Sequence, residues 1–173
     1  MELTPAELTI LGLVVERPRH GYDLEQVIER RGIRQWADIG FSSIYYLLTK
    51  LEKRGLVHVP DAPAAAKSRR VLHATGAGRR AAAEGALALI QEPRPVPHPL
   101  LVGLANLPLL SEREYAAALR TRLAGVEERI AAVGAAERAQ SPTGTAAREV
   151  FSYSLSLLEA ERSWLAERVE VST

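Results

Sequence analysis

The run Ser42-Ser43-Ile44-Tyr45-Tyr46-Leu47-Leu48-Thr49-Lys50-Leu51-Glu52-Lys53-Arg54-Gly55-Leu56-Val57 constrains the fold more than any other stretch of the chain. Ile44, Leu47, Leu48 and Leu51 recur at i, i+3, i+4, i+7 and predict a helix that buries one stripe. Either serine can cap its start. Gly55 stands where a left-handed C-terminal cap is needed, and the strand-like Leu56-Val57-His58-Val59 follows at once. At about 100° per residue, Ser42, Tyr46, Thr49, Lys50 and Lys53 fall opposite the apolar stripe, with Tyr45 on its flank. Two readings fit those outward residues: an ordinary solvated face, or a helix that enters a nucleic-acid groove, which needs hydrogen-bonding, cationic and aromatic side chains.

The neighbouring segments favour the second reading. Thr4-Pro5-Ala6-Glu7 is a capping box with proline at the first helical position, opening a helix that carries Leu8, Ile10, Leu11, Val14 and Val15 and ends at Pro18. His20 to Gly32 predicts a second short helix with Leu24, Val27 and Ile28 inward. Beyond the third helix, Leu56–Val59 and Arg69–His73 predict two strands of a hairpin around a Pro/Ala-rich loop. Three helices and a two-stranded wing make a winged helix-turn-helix. Lys67, Arg69 and Arg70 on the wing suit phosphate or minor-groove contact.

The ordered set Ile10-Leu11-Gly12-Leu13, His20-Gly21-Tyr22-Asp23-Leu24, Ser43-Ile44-Tyr45 and Leu48-x-x-Leu51-Glu52-x-x-Gly55-Leu56-Val57 resembles the PadR family of bacterial transcriptional regulators. Ala74-Thr75-Gly76-Ala77-Gly78-Arg79-Arg80 is similar to that family's entry into a fourth helix, with Gly76 in place of the usual proline. The second wing strand, Val71-Leu72-His73, departs from the family pattern in lacking its tyrosine. The resemblance covers about residues 4 to 85. It implies a homodimeric, sequence-specific regulator of the repressor type that binds a pseudo-palindromic operator in double-stranded DNA. It further implies a small aromatic or hydrophobic effector near the junction of two domains. Tyr22 is the residue at which the family's tyrosine is expected to meet a phosphate; a half-buried ring packed on the reading helix is the structural alternative. The candidate DNA-binding set is Tyr22, Ser42, Ser43, Tyr45, Tyr46, Thr49, Lys50, Lys53, Lys67, Arg69 and Arg70. A winged-helix scaffold that binds protein and no nucleic acid is the alternative function.

The second half reads as a separate helical domain. An alanine-rich helix from Thr75 to about Ile90 runs into Gln91–Pro99, where four prolines in alternate positions predict a stiff extended linker. Domains are expected at 1–90 and 100–173, joined by 91–99. Leu100–Leu110 predicts a short helix packed under the next element. Ser111-Glu112-Arg113-Glu114 is a second capping box, opening a helix to about Arg138. A final helix spans about Thr145 to Val169. On it Phe151, Leu155, Leu158 and Leu165 form a heptad-like seam, and Val150, Leu157 and Trp164 an adjacent stripe. Two apolar faces exceed what one antiparallel partner covers, which points to dimerisation through Phe151, Leu155, Leu158, Trp164 and Leu165, with an intramolecular contact as the alternative. The expected fold is therefore mainly α, a winged helix-turn-helix followed by an α-helical dimerisation domain.

Charge follows the same division. Residues 1–80 hold 13 Lys/Arg against 9 Asp/Glu, and residues 81–173 hold 9 against 12, so the basic half coincides with the winged helix. The chain has no cysteine, which excludes disulfides and thiolate chemistry and fits a cytoplasmic protein. Ile10–Val15 is too short for a signal or membrane span, and no membrane association is expected. His20, His58, His73 and His98 lack metal-ligand spacing, and His58 and His73 read as cross-strand neighbours in the wing. Gly76-Ala77-Gly78 is not a phosphate-cradling loop and reads instead as a flexible helix start. No cofactor and no enzymatic activity are expected.

Overall fold

A computed structural model describes residues 2–40, 43–60, 71–93, 95–140 and 144–171. Thr4 and Glu7 cap α1 (Pro5–Glu16) reciprocally: the Glu7 N–H donates to Thr4 Oγ1 at 3.2 Å and the Thr4 N–H to Glu7 Oε2 at 2.9 Å. The helix buries Ile10, Leu11, Leu13 and Val14. Past it the backbone is extended at Arg17 and forms a two-residue strand, β1 (Arg19–His20), before α2 (Gly21–Arg30).

A 3-10 turn (Ile33–Gln35) leads to α3 (Ser43–Lys53), which buries Ile44, Leu47, Leu48 and Leu51 as its periodicity predicts. Gly55, at φ 68°, closes it: the Leu56 N–H bonds to the Leu51 carbonyl and the Gly55 N–H to that of Glu52, at 3.0 and 2.9 Å. The strands β2 (Val57–His58) and β3 (Val71–Ala74) pair antiparallel, with His58 opposite His73 and their rings 5.7 Å apart.

The sheet has three strands rather than two, in the order β1-β3-β2. Arg19 pairs with Leu72 and His20 with Val71, so β3 is central. A two-residue strand is too short to show alternation in a sequence. It forms because the chain leaving α1 runs along the second edge of β3, whose backbone groups need partners.

The fourth helix, α4 (Gly76–Gln91), is capped by Thr75, whose hydroxyl accepts from the Gly78 N–H at 2.9 Å and donates to the Gly55 carbonyl at 2.8 Å. Gly78 is not a loosening element, contrary to expectation: a Cβ there would lie 2.0 Å from the Leu56 carbonyl oxygen. Its missing side chain lets α4 start directly on the α3–β2 turn.

The contacts divide the chain into two units, residues 1–95 and 96–173. In the first, α1–α4 and the sheet enclose one core that includes Ile10, Leu11, Leu24, Ile28, Ile44, Leu51, Val57 and Leu72. The second holds α5 (Pro99–Ala105), a 3-10 turn (Leu107–Leu109), α6 (Glu112–Ala139) and α7 (Thr145–Val171). Leu119, Val126 and Leu165 are its buried centre, with Tyr115, Leu123, Ile130, Leu158, Trp164 and Val169 packed around them. Arg122 donates to Glu161 across the helix pair at 2.6 Å. The segment α5 is not roofed by the next element as expected: Leu101, Val102, Leu109 and Leu110 are exposed, since α6 and α7 fill their seam with their own side chains. Among the described residues no helix is long and apolar enough to cross a membrane.

Candidate nucleic-acid interface

The buried stripe of α3 fixes which of its residues face outward. Tyr46 is 67% exposed, and Thr49 and Lys53 are exposed on the same side. The Thr49 hydroxyl donates to the Tyr45 carbonyl at 2.9 Å, which leaves its oxygen able to accept. Ser43 is half-buried, and its hydroxyl donates to the Gly40 carbonyl at 2.6 Å, so it shapes the turn into α3. Ser42, Lys67, Arg69 and Arg70 lie outside the described residues.

Two further tyrosines are exposed, Tyr45 on the flank of α3 and Tyr22 at the start of α2. The Tyr45 ring lies over the first residue of α2: a Cβ on Gly21 would come within 2.7 Å of it. The glycine thus lets the ring pack on the helix start while Tyr45 stays 58% exposed. Tyr22, the residue after Gly21, is 63% exposed, so its ring is not half-buried. With Trp36, 53% exposed, Tyr22, Tyr45 and Tyr46 make four large rings open to water on this unit.

Lys50 has a partner inside the fold. Its ammonium lies 2.8 Å from Glu7 Oε1, and the Arg54 guanidinium lies 3.3 Å from the same oxygen. At about 40° from Tyr46 around the helix, Lys50 sits on the flank that meets α1; its side chain is 44% exposed while its ammonium pairs with a buried carboxylate. Burial alone would raise the Glu7 pKa; the hydrogen bonds from Lys50 and the Thr4 amide, with the charges of Lys50 and Arg54, outweigh it and hold the carboxyl below its ordinary value. The sequence displays the capping box but not this second role of Glu7. The available signal is Lys50 and Arg54 at i, i+4 on one flank of an otherwise apolar contact.

A second charged network braces α2. Buried Arg19 donates through Nε to the Leu13 carbonyl at 2.9 Å and through Nη2 to Glu16 at 3.1 Å, and Arg31 grips Glu16 with two bonds of 2.9 and 2.7 Å. The hydrogen bond from Arg31 leads in lowering the Glu16 pKa, and burial lowers that of Arg19.

In the second unit Leu165 requires correction. It has no exposed surface and belongs to the core between α6 and α7 of one chain, so it has nothing to offer a partner. Leu158 and Trp164 pack partly into the same core, and the Arg168 guanidinium stacks 3.8 Å from the Trp164 ring. Phe151 and Leu155 are half-buried. The exposed apolar side of α7 is carried by Val150, Tyr153 and Leu157.

A capped α3 on a three-helix core, a small antiparallel sheet and an outward polar face define a winged helix-turn-helix protein, with a helical second unit. Residues 10–84 match the Transcriptional regulator PadR-like family, so the chain carries a domain of that family of transcriptional regulators. Among solved structures, Bacillus subtilis PadR in complex with operator DNA is 19% identical, with a TM-score of 0.77 over 96% of this chain and 98% of that one. The same protein in complex with p-coumaric acid is 18% identical, with a TM-score of 0.77 over 98% and 99%. The Vibrio cholerae virulence activator AphA is 19% identical, with a TM-score of 0.71 over 95% and 96%. At these identities the likeness shows the fold. No curated protein matches the sequence.

Proposed function

We propose that the chain is a homodimeric, cytoplasmic regulator that binds a pseudo-palindromic operator in double-stranded DNA and acts as a repressor released by a small aromatic or hydrophobic effector. The observation that carries this reading is α3 itself: Tyr46, Thr49 and Lys53 stand exposed in a row, opposite a wholly buried stripe. A helix so built can lay its polar side in the major groove. Tyr45 and Tyr22, both exposed, would donate to phosphates, and Ser42, Ser43, Lys67, Arg69 and Arg70 complete the proposed set. The operator complex of B. subtilis PadR supports the DNA partner.

Residues 1–90 would bind DNA, 91–99 link, and 100–173 dimerise. One winged helix reads a short half-site, so two copies of α3 about 34 Å apart would supply the specificity. Phe151 and Leu155, with the exposed Val150, Tyr153 and Leu157, are the proposed seam. The p-coumaric acid complex of B. subtilis PadR supports a phenolic effector class.

Fluorescence anisotropy with a mixed-sequence duplex at stepped salt tests the reading. DNA binding predicts an affinity that falls steeply with salt, by about 0.9 in log K per log salt for each phosphate contact. A protein-interaction module predicts no binding. Added p-coumaric acid is expected to weaken binding to a genomically selected duplex; unchanged affinity would remove the phenolic effector.

A further inference from the structure

Glu7 stands apart from the proposed interface yet touches the helix that carries it. Its side chain is 1% exposed. One oxygen, Oε2, accepts from the Thr4 N–H at 2.9 Å, and the other, Oε1, takes Lys50 at 2.8 Å and Arg54 at 3.3 Å. A carboxylate buried this far is tolerated only with cations beside it, so it fixes where they go. The long Lys50 stem would otherwise let its ammonium swing from the α3 flank toward a phosphate. Lysine–phosphate contacts add affinity for every sequence alike and therefore dilute discrimination.

We propose that Glu7 is a positioning residue for DNA selectivity: it holds Lys50 against α1, out of phosphate reach, and so keeps the non-specific affinity of α3 low. The inference rests on the DNA-binding reading above. Exchange of Glu7 for glutamine isolates the charge, because glutamine at the third helical position still accepts from the N-cap amide. Its amide NH2 offers Lys50 no anion, and the lysine turns outward.

The test measures anisotropy of a mixed-sequence duplex, three helical turns long, at stepped salt for the parent chain, Lys50→Gln, Glu7→Gln and the double variant. Lys50→Gln alone leaves the salt slope at the parent value, because Lys50 makes no phosphate contact in the parent. Glu7→Gln steepens the slope by about 0.9 and raises affinity on the order of eight-fold near 0.1 M salt. Adding Lys50→Gln to Glu7→Gln restores the parent slope. A merely structural Glu7 would lower the melting temperature and leave the slope unmoved, which overturns the proposal. A shallower slope in Lys50→Gln alone overturns it too, and that variant decides the matter even where Glu7→Gln folds poorly. A parent chain with no salt-dependent binding removes the DNA reading and this inference with it.

Discussion

The two units solve the problem of burial differently. The first closes a core among many elements, burying every apolar residue of the α3 stripe with Ile10, Leu11, Leu24 and Ile28 from α1 and α2, and it leaves exposed the rings of Tyr22, Trp36, Tyr45 and Tyr46 and, late in α4, Leu87, Leu89 and Ile90. The second buries Leu119, Val126 and Leu165 between two long helices and leaves Leu101, Val102, Leu109, Leu110, Val150, Tyr153 and Leu157 open to water. A unit of the first kind can present polar residues to a ligand without risk to its fold. A unit of the second kind would be completed by another apolar surface, which is the physical argument for the proposed dimerisation.

Four experiments probe the difference between the units. Leu165 is the centre of the small second core, so Leu165→Ala is expected to cost about 2–5 kcal/mol and to lower the melting temperature markedly. A loss within about 0.5 kcal/mol, as at a surface site, would mean that α6 and α7 do not form a core. In the first unit, Gly78→Ala drives a Cβ into the Leu56 carbonyl and is expected to cost about 1–3 kcal/mol by calorimetry. An unchanged melting temperature would show that α4 can move off the α3–β2 turn. Val150→Glu with Leu157→Glu changes exposed residues only and is expected to leave helicity intact while light scattering falls from dimer to monomer mass. A parent chain that is monomeric at micromolar concentration would break the proposed dimer outright.

The smallest effect is that of acid. Glu7 and Glu16 have folded pKa values below their ordinary 4.5. The stability they add is fully present above that value and is lost as pH falls through the lower, folded values. Melting temperature is expected to drop with pH below about 4.5, and less steeply in Glu7→Gln. Equal slopes in both proteins would show that Glu7 adds no pH-linked stability.

Local signals in the sequence were enough for the helices, and contacts between elements were not. The i, i+3, i+4, i+7 run of α3, the Gly55 stop and both capping boxes stand in the structure as read, because each depends on residues a few positions apart. What the sequence hid depends on distant partners. That the exposed Lys50 pairs with a carboxylate is hidden until α1 brings Glu7 beneath it. Leu165 reads as part of an intersubunit seam until α6 covers it. The β1 strand exists only because β3 has a second edge, and Gly78 reads as loose until Leu56 lies against it. In the candidate site the outward set Tyr46, Thr49 and Lys53 was legible from the helical period alone, whereas the seating of Tyr45 on Gly21 required the packing of α2 against α3.

The central claim is that α3 reads DNA through that outward set, and its most direct test is Tyr46→Ala combined with Thr49→Ala. Binding is measured by anisotropy on a duplex recovered from a genome-wide map of bound sites and on a mixed-sequence duplex, with circular dichroism as the check on folding. Expected are unchanged helicity, little change on the mixed duplex and a loss of about 1–3 kcal/mol per base contact on the selected one. Full affinity of the folded double variant for the selected duplex would contradict it.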